Sequence, residues 1–373
     1  PEAIKMAPVV LGGDADPRVE PGMSGQAQHH RGHLDGLGAG PEHREDAHRC
    51  GLAGAGRRAH RPASAAPAGE AASRAGSTSR RSTETAGPIP SRQVKRSTFA
   101  RARATIRSRS SGPSASARSP CAVRNSGSDA IARTAEYLAA ELKATGVQVE
   151  VQEFQAGTPR GPVTFRNVVG RTRAGGGKWI VLGSHYDTKH LPAIRFVGAN
   201  DGGSSSGVLL ELARVLARQT DLMFVFFDGE EAMEDYTATD GLWGSRYFVE
   251  TLKAAGQVRQ VEAMVLLDMV GDANLNITLP GTGTPALLGA VFRAAESLGY
   301  RRYFSYSGYE VVDDHIPFLS AGIPAVNLID FEYGSAPGRN DYWHTAEDTL
   351  DKLSLRSLEI VGQTTIQLVN QLR

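Results

Sequence analysis

The chain has 373 residues and a formal net charge of +1, enough for one large or two ordinary domains. The balance hides a split: residues 1–128 carry 20 Lys+Arg against 10 Asp+Glu, whereas residues 129–373 carry 21 against 30. No apolar run reaches membrane-spanning length, which excludes a helical span, and both cysteines, Cys50 and Cys121, lie in the basic part, so the acidic part needs no disulfide.

Residues 1–127 are rich in Ala, Arg, Gly, Ser and Pro, and Phe99 is their only Phe, Tyr or Trp. They have little apolar area with which to offset chain entropy, so the segment is expected to be disordered. Its arginine clusters, Arg80-Arg81 and Arg101, Arg103, Arg107 and Arg109, come without stacking aromatics or a binding motif, which argues against a nucleic-acid partner. The abrupt end near Val123 motivates a second reading, an artefact in which a wrong reading frame is joined to a genuine domain. An open in-frame alternative in the nucleotide sequence tests it. The chain begins at Pro1 rather than Met, so an export signal need not fall within this sequence.

From about Ser128 the texture changes, and residues 128–373 read as one catalytic domain. Ser128 and Asp129 cap a helix to about Ala144, with Ile131, Ala135, Leu138 and Leu142 on one face and Gly146 ending it. Val147–Phe154 and Val163–Val169 alternate as strands do. The runs Trp179–Gly183, Leu222–Phe227, Ala263–Leu267 and Ala325–Ile329 suit strands buried on both faces. Helical patterns over about 204–218, 242–255, 285–298 and 355–372 separate them. Strands alternating with helices predict an α/β three-layer sandwich around a twisted, mostly parallel mixed sheet, with antiparallel strands at one edge.

The polar residues gather where these runs end. Trp179–Gly183 leads into Ser184-His185-Tyr186-Asp187, Leu222–Phe227 into Asp228-Gly229-Glu230-Glu231, and Ala263–Leu267 into Asp268. Ligands of open α/β sheets bind beyond the carboxyl ends of strands. A histidine taken alone is more often a core or surface residue than a ligand, and His190 is left to that fate. His185 has Asp187 two residues on to orient its ring. His344 lies in Tyr342-Trp343-His344-Thr345, ahead of Asp348 and the last helix. His315, in Asp313-Asp314-His315-Ile316-Pro317-Phe318, is expected to cap the helix that follows or to shape the pocket. Glu230 and Glu231 follow a buried strand, where charge is costly unless it binds metal or works as acid and base. Asp201, in Asn200-Asp201-Gly202-Gly203, reads either as a glycine turn with a cap or as a ligand, the glycines allowing close backbone approach. Two His, two Asp and one Glu, with a second Glu free, suit Zn²⁺ with open positions.

The order His185-x-Asp187, Asp201, Glu230-Glu231, Asp268, His344 resembles metallopeptidase family 28, which comprises zinc aminopeptidases and animal-type glutaminyl cyclases. The resemblance covers about residues 128–373. For the aminopeptidases it implies two zincs, one on His185 and Asp268 and one on Glu231 and His344, bridged by Asp201, with Glu230 as base for water. For the cyclases it implies one zinc on Asp201, Glu231 and His344, with Glu230 carrying a proton from the α-amine and Asp268 and Asp313 in an acidic network beside it. The stretches 184–189, 196–201, 226–232, 240–246, 313–319 and 343–345 are closer to the cyclase branch. Gly202-Gly203 is closer to the aminopeptidases, Tyr236 stands where animal cyclases carry a pocket Trp, and Asn327 where they carry a His.

The leading expectation is therefore cyclisation of N-terminal glutamine to pyroglutamate with release of ammonia. Trp343 would wall the pocket, and Asp187, Tyr236, His315 and Asn327 would support it. The alternative is a two-zinc aminopeptidase, and a minor one is a non-catalytic binding domain on the same scaffold. By family analogy the protein is a monomer or small oligomer, secreted or periplasmic, whose partner is a peptide N-terminus.

Overall fold

A computed structural model describes residues 123–373. The expectation of disorder or artefact for residues 1–127 therefore lies outside the described residues, except at its last five. Helix α1 (Asp129–Ala144) starts where expected: Ser128 Oγ accepts from the Ile131 N–H at 3.2 Å. It ends at Gly146, whose φ of +89° admits the reversal into β1 (Gln148–Thr158). β1 pairs antiparallel along its whole length with β2 (Gly161–Arg171). Toward the turn both strands outrun the sequence expectation, because exposed and half-buried residues mix there and leave no apolar signal.

Then follow β3 (Trp179–His185), α2 (Gly203–Leu216), β4 (Leu222–Phe227), α3 (Trp243–Ala254) and β5 (Val261–Asp268). The chain continues through β6 (Ile277–Pro280), α4 (Pro285–Ser297), β7 (Phe304–Ser307), α5 (His315–Ser320), β8 (Ala325–Ile329) and α6 (Leu355–Gln371). Six strands form one sheet in the order β1-β2-β4-β3-β5-β8. β4, β3, β5 and β8 run parallel, while β1 and β2 form the antiparallel edge. β6 and β7 pair with each other in a two-stranded parallel sheet that the sequence did not announce. Four residues each are too few for a two-residue period to stand out.

The continuous apolar runs divide by parity, as pleating requires. Ile180, Leu182, Phe224, Phe226, Val265 and Leu267 face α1, α2, α4 and α6. Val181, Val225, Phe227, Met264 and Leu266 face α3 and α5, against Phe248, Val249, Leu252 and Phe318. The result is helix, sheet, helix, with every parallel strand covered on both faces. Among the described residues no helix is long and apolar enough to cross a membrane.

Residues ahead of Ser128 also contact the domain. Arg124 is buried, and its guanidinium donates to the carbonyl oxygens of Tyr186 (2.8 Å), Val197 (2.8 Å) and Gly198 (3.1 Å). Ser126 Oγ donates to Asp228 Oδ1 at 2.6 Å. Nothing in a short polar stretch reveals such contacts, because their partners lie some 60 to 100 positions on.

Candidate metal centre and catalytic site

His185 and Asp268 are the last residues of β3 and β5, which are adjacent and parallel, so both side chains emerge at the same edge of the sheet. Glu230 and Glu231 lie just past β4, on the other side of β3. Asp201 comes from the loop before α2, and His344 from the loop between β8 and α6. Asp201 lies between the two imidazoles: Oδ1 is 3.1 Å from His185 Nε2, and Oδ2 is 3.3 Å from His344 Nε2. A second carboxylate approaches the same nitrogen of each ring, Asp268 Oδ1 at 3.1 Å from His185 Nε2 and Glu231 Oε1 at 3.2 Å from His344 Nε2. Two donor sets thus share Asp201, namely His185-Asp201-Asp268 and Asp201-Glu231-His344. Glu230 belongs to neither.

The electrostatics call for a cation. Asp187, Asp201, Glu230, Glu231, Asp268, Asp313 and Asp314 are all buried. Such a concentration of carboxylates is costly unless protons or metal offset it. Burial works against protonation of His344, yet the charges of Glu231 and Asp201 raise it to about 10. His185 follows the same logic: burial opposes the proton, while Asp268, Asp187 and Asp201 drive its affinity well up. Both shifts mark a place where positive charge is stabilised. Asp201 Oδ2 is buried and, although 3.3 Å from His344 Nε2, makes no contact of hydrogen-bond geometry, as a ligand atom would not. Imidazole nitrogen with carboxylate oxygen suits a divalent cation such as Zn²⁺.

Around the donors runs a supporting shell. Asp187 accepts from the backbone N–H groups of Glu230 and Glu231, each at 3.2 Å, and its Oδ1 is 3.4 Å from His185 Nδ1. It therefore links the ring to the glutamate loop. Asp348 accepts from the N–H groups of Asn200 (2.7 Å) and Asp201 (3.2 Å) and from the Tyr333 hydroxyl (2.8 Å), which fixes the Asp201 loop. Gly202 has φ +75°, and a Cβ there would come within 2.7 Å of His185 Cε1, so the ring packs directly on the backbone. His344 and Met269, which follows Asp268, are non-glycine residues at φ +56° and +48°. Backbone strain of this kind collects at functional sites, where the surroundings over-determine it.

Glu230 is held well above the usual carboxylate range by burial and by the charges of Glu231 and Asp313. Its Oε2 lies 3.0 Å from the Tyr236 hydroxyl. Asp313 is likewise raised, by burial and then by Asp268 and Asp314. Its oxygens accept from the Asp314 N–H (2.6 Å) and from Asn327 Nδ2 (2.6 Å). Trp343 stacks on His344 at a centroid distance of 4.0 Å, and Phe331 meets it edge-on. His190 is exposed. His315 does not cap its helix: it is the first helical residue, buried, with Nε2 3.0 Å from Thr282 Oγ1. Burial depresses its ring to about 4. Sequence reasoning gave no role to Arg124, Asn200, Asp314 or Asp348: Asn200 and Asp314 stood in its motifs only as neighbours of Asp201 and of Asp313 and His315, and Asp348 only as an acid shortly after His344.

The family model of Peptidase family M28 matches residues 167–369. The chain belongs to peptidase family M28. Its M28 domain is 29% identical over 242 residues to the glutaminyl-peptide cyclotransferase of Drosophila melanogaster, a match covering 57% of this chain and 67% of the relative. Among solved structures it resembles the glutaminyl cyclase of an Acidobacteriales bacterium at 37% identity and a TM-score of 0.63, over 67% of this chain and 88% of the other. A Zn-dependent exopeptidase from Parabacteroides distasonis matches at 28% identity and a TM-score of 0.59, over 66% of this chain and 91% of the other. These two solved structures share the α/β fold described above, and one is a cyclase and the other an exopeptidase.

Proposed function

We propose that this M28 enzyme is a zinc-dependent glutaminyl-peptide cyclotransferase, closing the N-terminal glutamine of peptides to pyroglutamate and releasing ammonia. One juxtaposition carries the reading. Glu230 is a buried carboxylate of raised proton affinity, outside both donor sets and next in sequence to the ligand-type Glu231. The similarity to glutaminyl cyclases supports it.

Asp201, Glu231 and His344 would hold the zinc. When bound, the metal supplies Lewis acidity toward the side-chain amide carbonyl of the substrate. Glu230 takes a proton from the α-amine as its nitrogen attacks the amide carbon. The bond from that carbon to the amide nitrogen breaks, and Glu230 returns the proton to the departing nitrogen. Ammonia leaves and Glu230 ends as it began. A carboxylate of ordinary strength is a poor base for an amine, so the raised affinity brings Glu230 nearer to the two groups between which it moves the proton. Beyond burial, Glu231, Asp313 and Asp314 maintain that affinity by placing further negative charge near Glu230. Asn327 fixes Asp313 by hydrogen bond, and Trp343, flat on His344, forms the wall beside the scissile group.

A two-zinc aminopeptidase is the second reading, favoured by the equally compact His185-Asp201-Asp268 set. A paired assay with metal analysis separates the two. Ammonia release from Gln-peptides with one zinc per chain is the expected result. Brisk hydrolysis of leucyl-arylamide, two zincs and no ammonia would overturn it.

A further inference from the structure

The loop from Glu231 to α3 is organised beyond what a surface connection needs. The Asp240 carboxylate accepts from the N–H groups of Met233 (2.7 Å) and Glu234 (2.9 Å). The Thr237 N–H donates to the Asp240 carbonyl at 3.1 Å, and the Leu242 N–H returns to the Glu230 carbonyl at 2.9 Å. From α3, the Arg246 guanidinium donates to the carbonyl oxygens of Ala238 (2.6 Å) and Thr237 (2.8 Å). What this frame aims at the metal centre is Tyr236. Its ring lies against Gly241, where φ is +84° and a Cβ would come within 2.8 Å of Tyr236 Cδ1. The Lys189 ammonium, tied to the Ala232 carbonyl at 2.7 Å, sits over the ring at 5.1 Å from its centroid.

The phenol oxygen lies 3.0 Å from Glu230 Oε2 and 3.1 Å from Glu231 Oε2. A phenol has one proton to donate, so the two carboxylates share it. Glu231 has its other oxygen, Oε1, turned to His344. We propose that Tyr236 is a positioning residue, whose hydroxyl occupies one oxygen of each glutamate. Glu231 is thereby limited to offering the cation its remaining oxygen, and Glu230 presents its own remaining oxygen to the substrate. The Glu230 half rests on the function proposed above; the Glu231 half holds for either reaction of this family. A phenylalanine fills the same seat and lacks only the hydroxyl.

The test is Tyr236→Phe, compared with wild type in three measurements. Zinc affinity, read by competition between the reloaded apo-protein and a chromogenic chelator, is expected to weaken about 10-fold or more, as for loss of a partner behind a metal ligand. In ammonia release from a Gln-peptide, kcat is expected to fall about 10- to 100-fold, with KM within about threefold. The thermal midpoint of the apo-protein is expected to fall by about 3–10 °C, the loss of a hydrogen bond to buried carboxylates, with the variant still folded at assay temperature. Either a zinc affinity or a kcat within about twofold of wild type overturns the proposal. A wild-type enzyme that releases no ammonia disposes of the cyclase reading alone. The zinc competition needs no turnover, and the kcat comparison then uses arylamide hydrolysis.

Discussion

Replacing Gly202 with alanine tests whether the His185 ring is held by direct contact with the backbone. Gly202 and Gly299 share a φ of +75°, but their surroundings differ. A Cβ at Gly299 meets nothing within 4 Å, whereas at Gly202 it would come within 2.7 Å of His185 Cε1, 3.0 Å of Nδ1 and 3.1 Å of the Asp187 carbonyl. Both substitutions incur the left-handed penalty of a non-glycine residue, about 1–2 kcal/mol. Only Gly202→Ala adds overpacking, about 1–3 kcal/mol, and its relief requires the ring to move. At about 2–4 °C per kcal/mol for a domain of this size, Gly202→Ala should melt several degrees below Gly299→Ala. Because the displaced ring contacts the ligand Asp201, which precedes Gly202 in the chain, zinc affinity should also fall, by about 10- to 100-fold, while Gly299→Ala keeps wild-type affinity. Differential scanning fluorimetry on apo-protein and chelator competition supply the two readouts. Equal melting losses and equal zinc affinities in the two variants would refute the reasoning.

Glu230→Gln should bind zinc as wild type does and lose about 10²–10⁴ in kcat, since it keeps the shape and loses the base; near-full turnover would show that another group moves the proton. Asp348→Asn turns an amide nitrogen toward the Asn200 or Asp201 N–H, and the loosened loop should cost about tenfold in zinc affinity, measured by the same competition. His315 contributes a pH dependence of stability. Its folded ring titrates at about 4 against an ordinary 6.5, so its stabilisation is complete above 6.5 and is lost as pH falls from 6.5 toward 4. At 1.36 kcal/mol per unit this removes about 2 kcal/mol between pH 7 and pH 5. Denaturant melts of wild type and His315→Asn should therefore differ less at pH 5 than at pH 7 by that amount, and a gap that does not change with pH contradicts the assignment.

The sequence alone determined the layers and the edge at which chemistry occurs. Runs such as Leu222–Phe227 are apolar at every position because each parallel strand is covered on both faces, and that pattern needs no coordinates to be read. The runs also lead into His185, Glu230 with Glu231, and Asp268, so these four were legible as polar residues at strand ends, whereas the donors Asp201 and His344 come from loops. Its geometry was not. Whether Asp201 capped a glycine turn or faced two imidazoles depended on a loop path fixed by Asp348, 147 positions away. His315 read as a helix cap or pocket residue because its neighbours suggested one; its burial against Thr282 comes from a segment 33 residues earlier. Tyr236 read as a residue in place of a pocket Trp, and only the folded loop brings its hydroxyl to two carboxylates at once. Periodicity is a property of neighbours along the chain, so it survives in the sequence. Contacts between residues far apart in the chain are created when the sheet and its loops close, and only the tertiary structure decides them.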